Sequence, residues 1–356
     1  MKEYKIEEIA TVVSGGTPST KISTYWNGDI IWLTPKDLSS NTQKRIFKSI
    51  NTITEDGLKN SSATMLPIDT VLLSSRAPIG YLAIAAVPLC TNQGFKSMIC
   101  NPEIVLPEYL YYYLQTKVED LNNISTGSTF KELSGSLLKN YKVCIHERNE
   151  QQHIVDILGS LDDKIENNVK IIDNIETLFS TIWQKYFVDK SFDKGILGTA
   201  LTIKYGKNLP TTRLQTDGYV VFGGNGQIGY YSEYMYKEPK VLVSCRGAAS
   251  GNVIYSQAYS FITNNSLILE DNTIITYPYL RGLAKAIHFE KYTTGSAQPQ
   301  ITIDNITNIE IDIPPIEYQK SFSNEVNPLL EKLDFIRLEN EKLNELKQLY
   351  LKKFFG

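Results

Sequence analysis

The chain has 356 residues, an ordinary apolar content of 42% and a charged content of 21%, which suits about two globular domains with their own cores. Its formal net charge is −3 at pH 7, with 15 Lys+Arg against 15 Asp+Glu over residues 1–150 and 10 against 10 over 191–315. That balance excludes a basic domain that binds nucleic acid by bulk charge. No apolar run approaches the roughly 18 residues of a membrane span, and Met1-Lys2-Glu3-Tyr4 lacks the apolar stretch of a secretory signal. Cys90, Cys100, Cys144 and Cys245, with only His146, His153 and His288 beside them, form no zinc-site spacing. The reading is therefore no metal, no disulfide framework and a reducing cytoplasm.

In chain order, Ser14-Gly15-Gly16-Thr17-Pro18 marks a turn. Val71-Leu72-Leu73-Ser74-Ser75-Arg76 reads as a short buried strand, and Pro107 to Leu114 as the first turns of a helix with Pro near its start. The tyrosines at 109, 111, 112 and 113 alternate poorly for stacking on bases and read as packing residues. After Glu150, apolar residues fall at 154, 158, 161, 165, 172, 175, 179, 182 and 186, the alternating four–three spacing of a coiled-coil seam. About 33 such residues make a helix about 50 Å long.

A second set of elements repeats the first. Lys240-Val241-Leu242-Val243-Ser244 reads as another buried strand, Gly223-Gly224-Asn225-Gly226 as a turn, and a second seam runs 322, 326, 329, 333, 336, 343, 350 and 354. A shift of 168 residues carries Ile154, Leu158, Leu161, Ile165, Ile175, Leu178, Ile182 and Tyr186 onto Phe322, Val326, Leu329, Leu333, Leu343, Leu346, Tyr350 and Phe354. A shift of 170 carries the first strand with Arg76 onto the second with Arg246, and Ser125-Thr126-Gly127-Ser128 maps onto Thr293-Thr294-Gly295-Ser296. The chain is a duplication, too long in period for a solenoid. The expected layout is α+β: two homologous globular domains, 1–150 and 190–315, with helices at 151–189 and 316–356 forming an intramolecular antiparallel coiled coil of approximate twofold symmetry.

Register follows from one Asn in each seam. Pairing positions that sum to 508 sets Asn168 against Asn340, with Leu158–Tyr350, Ile165–Leu343, Ile172–Ile336, Ile175–Leu333, Phe179–Leu329, Ile182–Val326 and Tyr186–Phe322. A parallel arrangement would instead bury each amide against an isoleucine, at about 1–3 kcal/mol apiece. One pair fits poorly, Leu161 with Lys347, where Leu346 is the expected substitute.

Several short strings in fixed order carry a resemblance. They are Gly15-Gly16-Thr17-Pro18-Ser19, Tyr25-Trp26-Asn27-Gly28-Asp29 through Trp32-Leu33-Thr34-Pro35, Ser75-Arg76-Ala77-Pro78-Ile79-Gly80, and Asn92-Gln93-Gly94-Phe95-Lys96. The second half has Tyr219 to Gly226, Asn264-Asn265-Ser266, Gly295 to Ile301, and Ile313-Pro314-Pro315-Ile316-Glu317-Tyr318-Gln319. Their order, the duplication and the helix after each domain resemble the specificity (S) subunit of type I restriction–modification systems over the whole chain. The resemblance implies two target-recognition domains, each reading one half of a split asymmetric site on double-stranded DNA, with the helices setting the spacing and docking the partners. It places methylation and cleavage on methyltransferase (M) subunits, two of them, and restriction (R) subunits. It binds no cofactor to this chain and puts S-adenosylmethionine, ATP and Mg on the partners. The first junction, Cys144-Ile145-His146-Glu147-Arg148-Asn149-Glu150-Gln151, lacks the family's prolines.

DNA-contact candidates are polar residues on the glycine-rich loops and beside the strands. Arg76 and Arg246 suit bidentate contact with guanine or phosphate, or a structural ion pair. Asn92, Gln93, Asn264 and Asn265 suit adenine edges, or turn capping. Thr126, Ser128, Thr129 and Lys131, and in the second copy Ser296, Gln298 and Gln300 beside Thr294, form polar loops suited to groove contact. Asn225 sits in a Gly-Asn-Gly turn that brings backbone close to DNA or simply closes a hairpin. Thr17, Lys36, Lys96 and Lys207 complete the set, and Lys44, Arg45, Lys204 and Arg213 are further cations within phosphate reach. No Walker loop and no adenine-methyltransferase Asn-Pro-Pro-aromatic motif is present, so no intrinsic catalysis is expected. The alternative is a protein-interaction scaffold that binds no DNA.

Overall fold

In the computed structural model, residues 1–39, 43–127, 131–295 and 298–356 are described. Two helices of 40 residues dominate the secondary structure, Arg148–Phe187 and Ile316–Phe355. Each is about 60 Å long at 1.5 Å per residue. The chain divides into two compact units, residues 1–170 with 339–356, and residues 171–338, so each long helix gives one half to each unit.

In the first unit a five-stranded sheet has the order Ala10–Ser14, Phe95–Cys100, Val71–Ser75, Ile79–Ala85 and Arg45–Ile46. Strand Val71–Ser75 is central and buried throughout, so it reads as a continuous apolar run. Side-chain alternation sends Val71 and Leu73 toward one core, with Tyr109 and Tyr112 of helix Pro107–Gln115, and Leu72 toward another, with Leu33, Leu66 and Phe95. Tyr109 and Tyr112 are fully buried, so the tyrosine run does pack. Burying each such side chain contributes about 1.5–3 kcal/mol. A three-stranded sheet has the order Asn51–Ile53, Trp26–Leu33, Cys90–Thr91, and Lys2–Lys5 pairs antiparallel with Lys142–Ile145.

The second unit repeats this topology with fewer strands. Its larger sheet runs Thr202–Tyr205, Ser266–Glu270, Val241–Ser244, Val253–Tyr255, and its smaller one Gly226–Tyr231, Tyr219–Gly223, Phe261–Ile262. Asp193–Ile196 pairs with Glu310–Ile313 as the first unit's terminal strands do. Val241 and Val243 face the core of helix Tyr277–Ile287, and Leu242 faces the opposite one with Ile254 and Ile268.

Both units anchor a long helix with a buried glutamine. In the first, the Gln151 carbonyl oxygen accepts from Leu106 N (2.9 Å), and its amide donates to Ile104 O (2.8 Å) and His146 O (2.9 Å). In the second, Gln319 accepts from Thr276 N (2.9 Å) and donates to Ile274 O (2.8 Å) and Pro314 O (2.8 Å). The first junction therefore needs no proline: Glu147 O accepts from Gln151 N as Pro315 O accepts from Gln319 N.

The helix halves within each unit pair antiparallel in the expected register. In the first unit the Asn168 amide donates to Asn340 Oδ1 at 2.8 Å and also to Glu339 Oε2 at 2.6 Å. In the second, Ile175 packs with Leu333 and Ile336, and the Tyr186 ring lies 5.4 Å from Phe322. The misfit pair resolves differently from expectation. Leu346 is 40% exposed and does not substitute. Instead Lys347 sends its ammonium to Asp162 at 2.6 Å, and Tyr112 Oη donates to the same carboxylate at 2.7 Å. A buried ion pair fills a place that periodicity reserves for an apolar side chain.

Candidate nucleic-acid interface

Arg76, Asn92, Gln93, Lys96 and Thr126 in the first unit, and Arg246, Asn264, Asn265 and Gln300 in the second, gather at one end of the larger sheet, beside a backbone network that occurs twice. In the first unit Ser75 N donates to Gly94 O (2.7 Å), Leu133 N to Ser75 O (2.9 Å), and Thr126 and Glu132 exchange both backbone bonds (3.2 and 2.8 Å). In the second, Cys245 N donates to Asn265 O (3.0 Å), Ile301 N to Cys245 O (3.0 Å), and Thr294 and Gln300 exchange theirs (2.8 and 2.9 Å). Arg76 and Arg246 each follow directly on the central residue of this network.

The glycine loop joins the same surface. Gly16 N donates to Thr91 O, and Lys207 N to Ile262 O, both at 2.9 Å. Gly15 and Gly206 precede them, where a Cβ would come within 2.1 Å of Asn92 O and 2.2 Å of Thr263 O. Only glycine lets those backbones approach so closely.

The network also sets the equivalence between copies. Asn92-Gln93-Gly94 matches Thr263-Asn264-Asn265: Phe95 N donates to Asn92 O and Ser266 N to Thr263 O (3.2 and 3.1 Å). Gln93 and Asn264 therefore occupy the same place. Asn92 is a turn cap, its Oδ1 accepting from Gly94 N at 2.9 Å, whereas exposed Gln93 accepts from the Thr17 hydroxyl. Asn265 is exposed.

Other candidates separate by exposure. Lys36, Thr126, Lys131, Lys207, Asn225, Arg246, Gln298 and Gln300 are exposed, and Arg76 is half-buried with no ion-pair partner among the described residues. Lys131 Nζ donates to Asn122 O at 3.2 Å. Asn225 lies in the two-residue turn of the hairpin formed by Tyr219–Gly223 and Gly226–Tyr231. Ser128, Thr129 and Ser296 lie outside the described residues.

Lys96 is only 7% exposed, with its ammonium 3.9 Å from Glu132 Oε1. Burial holds its pKa below the usual lysine value; the Glu132 carboxylate opposes that shift, and the Arg76 guanidinium adds to it. Its counterpart by strand register is Leu267, since Lys96 pairs with Leu73 as Leu267 pairs with Val243. Three of the further cations are paired with acids of their own unit: Lys44 with Asp163, Arg45 with Asp69 and Glu108, and the exposed Lys204 with Glu270. Arg213 lies over the Tyr231 ring. Sequence alone could not rank these cations because their partners are distant in the chain.

Among the described residues no group of three or more His, Cys, Asp or Glu is placed to hold a metal ion, and no helix is long and apolar enough to cross a membrane.

Fold and site together define a duplicated recognition protein, in which two α+β modules present the same backbone frame with different polar side chains. The family model for the type I restriction modification DNA specificity domain matches residues 1–177 and 200–348. The specificity subunit of the type I restriction enzyme MjaIX from Methanocaldococcus jannaschii is 34% identical, over 92% of this chain and 86% of that protein. The EcoprrI specificity subunit from Escherichia coli is 21% identical over 88% of this chain and 84% of that protein. The crystal structure of a type I S subunit from M. genitalium has a TM-score of 0.64 at 19% identity, covering 100% of this chain and 96% of that one, and shares the fold. The chain belongs to the type I restriction–modification DNA specificity family, as a non-catalytic specificity subunit. Nothing in these likenesses supports a scaffold that binds no DNA.

Proposed function

We propose that each unit reads one half of a bipartite, asymmetric DNA site through the sheet end that carries Arg76 in the first and Arg246 in the second. One observation carries this reading: the two units share a backbone frame yet differ in side chain at equivalent places. Gln93 stands where the other copy has Asn264, Glu132 where it has Gln300, and Lys96 where it has Leu267. A common frame with changed side chains reads two different half-sites in the same way. The long helices set the spacing between half-sites and dock the partners.

The net charge of −3 is low for a chain that must hold DNA unaided. Two methyltransferase subunits therefore share the phosphate contacts, and restriction subunits join through them. S-adenosylmethionine, ATP and Mg belong to those partners, and the complex works in the cytoplasm. The experiment is a methylation map, by single-molecule sequencing, of a methylation-free host expressing this chain with its methyltransferase subunit. A split motif with modified bases on opposite strands is expected, and exchanging residues 190–315 for those of a relative should change one half only. Continuous or symmetric motifs from an assembled complex would refute the reading.

A further inference from the structure

The two units carry the same row of three side chains at the sheet end, and they differ in the middle one. In the second unit Gln300 is opposed by Arg246 on one side and by Thr294 on the other, both in antiparallel bridges. In the first unit Glu132 is opposed by Thr126. Arg76 and Glu132 flank the bond from Leu133 N to Ser75 O, as Arg246 and Gln300 flank that from Ile301 N to Cys245 O. Leu133 and Ile301 belong to the two domain cores, and Ser75 and Cys245 are buried as well. Alternation along an extended chain therefore turns the residues beside them outward. The rows are Arg76, Glu132, Thr126 and Arg246, Gln300, Thr294.

Glutamate and glutamine have the same shape, so the shared frame presents either one at the same place. What changes is chemistry: a carboxylate only accepts hydrogen bonds, whereas an amide accepts and donates. A second position changes with it. The Lys96 ammonium lies 3.9 Å from Glu132 Oε1, and the register counterpart of Lys96 is Leu267. Charge thus occurs at both places in the first unit and at neither in the second. In the major groove cytosine offers its N4 amino donor with no acceptor beside it, and adenine offers an N6 donor beside the N7 acceptor. A carboxylate answers cytosine, but against adenine its second oxygen meets the N7 lone pair. An amide answers both adenine groups at once.

We propose that Glu132 and Gln300 are equivalent base readers, Glu132 accepting from the amino group of a cytosine in the first half-site and Gln300 pairing with an adenine in the second. Lys96 is a positioning residue that acts through Glu132, supplying the counter-charge a carboxylate needs beside a polyanion. The inference rests on the reading of half-sites by the two sheet ends, and adds to it one base of each half.

The test uses the full chain assembled with its methyltransferase subunit, and compares methylation rates on duplexes of the mapped motif with each half-site position varied in turn. The first half-site is the one that exchange of residues 190–315 leaves unchanged. At one of its positions the parent is expected to prefer cytosine over adenine by about tenfold or more. Lys96→Leu with Glu132→Gln should reverse that preference and leave every other position alone. This pair of changes installs the second unit's own residues and strands no buried ammonium. Gln300→Glu, at an exposed side chain, should turn one adenine preference of the second half-site toward cytosine at an unchanged melting temperature. Lys96→Leu alone should weaken the cytosine preference at that same single position, an effect that a merely structural lysine would not confine to one base. Preferences that stay put, that move at several positions or in the wrong half, or that move toward guanine or thymine would overturn the proposal. So would loss of all methylation from an assembled Gln300→Glu complex. A parent motif that is not split, or one whose two halves both respond to the exchange of residues 190–315, would instead overturn the half-site reading beneath it.

Discussion

Gln151 and Gln319, 168 positions apart, are both buried and make the same three hydrogen bonds, one accepted from and one donated to the segment before a domain helix, and one donated to a carbonyl just before a long helix. Replacing Gln151 by Leu orphans one amide and two carbonyls, at about 1–3 kcal/mol each where they stay dry. The expected cost is about 3 kcal/mol or more, read as a fall in the denaturant midpoint. Gln319→Leu should cost a similar amount. A loss under about 0.5 kcal/mol, the range of ordinary surface changes, would show that these groups find water instead.

The Asn168–Asn340 pair should set register at a cost in stability. Its counterparts in the second unit's pairing are Ile336 and Ile172, an apolar pair in the same seam. Changing both asparagines to Leu is expected to raise the melting temperature by about 2–4 °C, the equivalent of about 1 kcal/mol in a chain of this class. Glu339 keeps Lys164 as a partner at 3.1 Å. A fall in melting temperature would mean that losing the Asn168 bonds to Asn340 and Glu339 outweighs the apolar gain.

Asp162 and Lys347 form a buried pair, with side-chain exposures of 9% and 13%. Removing one partner strands a charge, so Lys347→Leu alone should cost about 3–5 kcal/mol. In a Tyr112→Phe background, which leaves no hydroxyl orphaned, the double change Asp162→Leu with Lys347→Met should recover most of that loss, and a double-mutant cycle measures the coupling. Independent, additive losses would refute a direct pairing.

Lys96 has a natural replacement in Leu267. Lys96→Leu removes a buried ammonium and leaves Glu132, itself 45% exposed, to water. Stability should hold or rise by about 1 kcal/mol, since an apolar side chain in place of a buried charge is often favourable. Methylation at one half-site should fall while the other half stays intact. If methylation is unchanged, Lys96 has no part in reading DNA.

Arg76→Ala and Arg246→Ala separate the two halves. Each is expected to cost about 1–3 kcal/mol of discrimination and to relax one half-site alone. Relaxation of both halves by either change would contradict independent reading.

Sequence periodicity exposed the helices, their register and the two central strands, because a seam of period 3.5 and a buried apolar run leave strong patterns. Interactions between distant positions left none. Lys347 breaks the seam on paper and is answered by Asp162, which is not a seam position. Gln151 does its work without the prolines that made its partner junction conspicuous. Asn92 and Asn264 look like counterparts in the text, yet hydrogen bonding aligns Gln93 with Asn264, a shift of one residue that no single sequence reveals. The cations at 44, 45 and 204 looked available until their acids came into view.

In each unit the first and last strands of the globular part are hydrogen-bonded to one another, Lys2–Lys5 with Lys142–Ile145 and Asp193–Ile196 with Glu310–Ile313. Entry and exit of each module are therefore neighbours, and a module can be exchanged whole without changing the path of the chain that carries it. Genes for such a chain can acquire a new half-specificity in one recombination event, with both crossovers falling in the short ladders. Diversity of targets then costs evolution a swap of cassettes rather than a redesign of the framework.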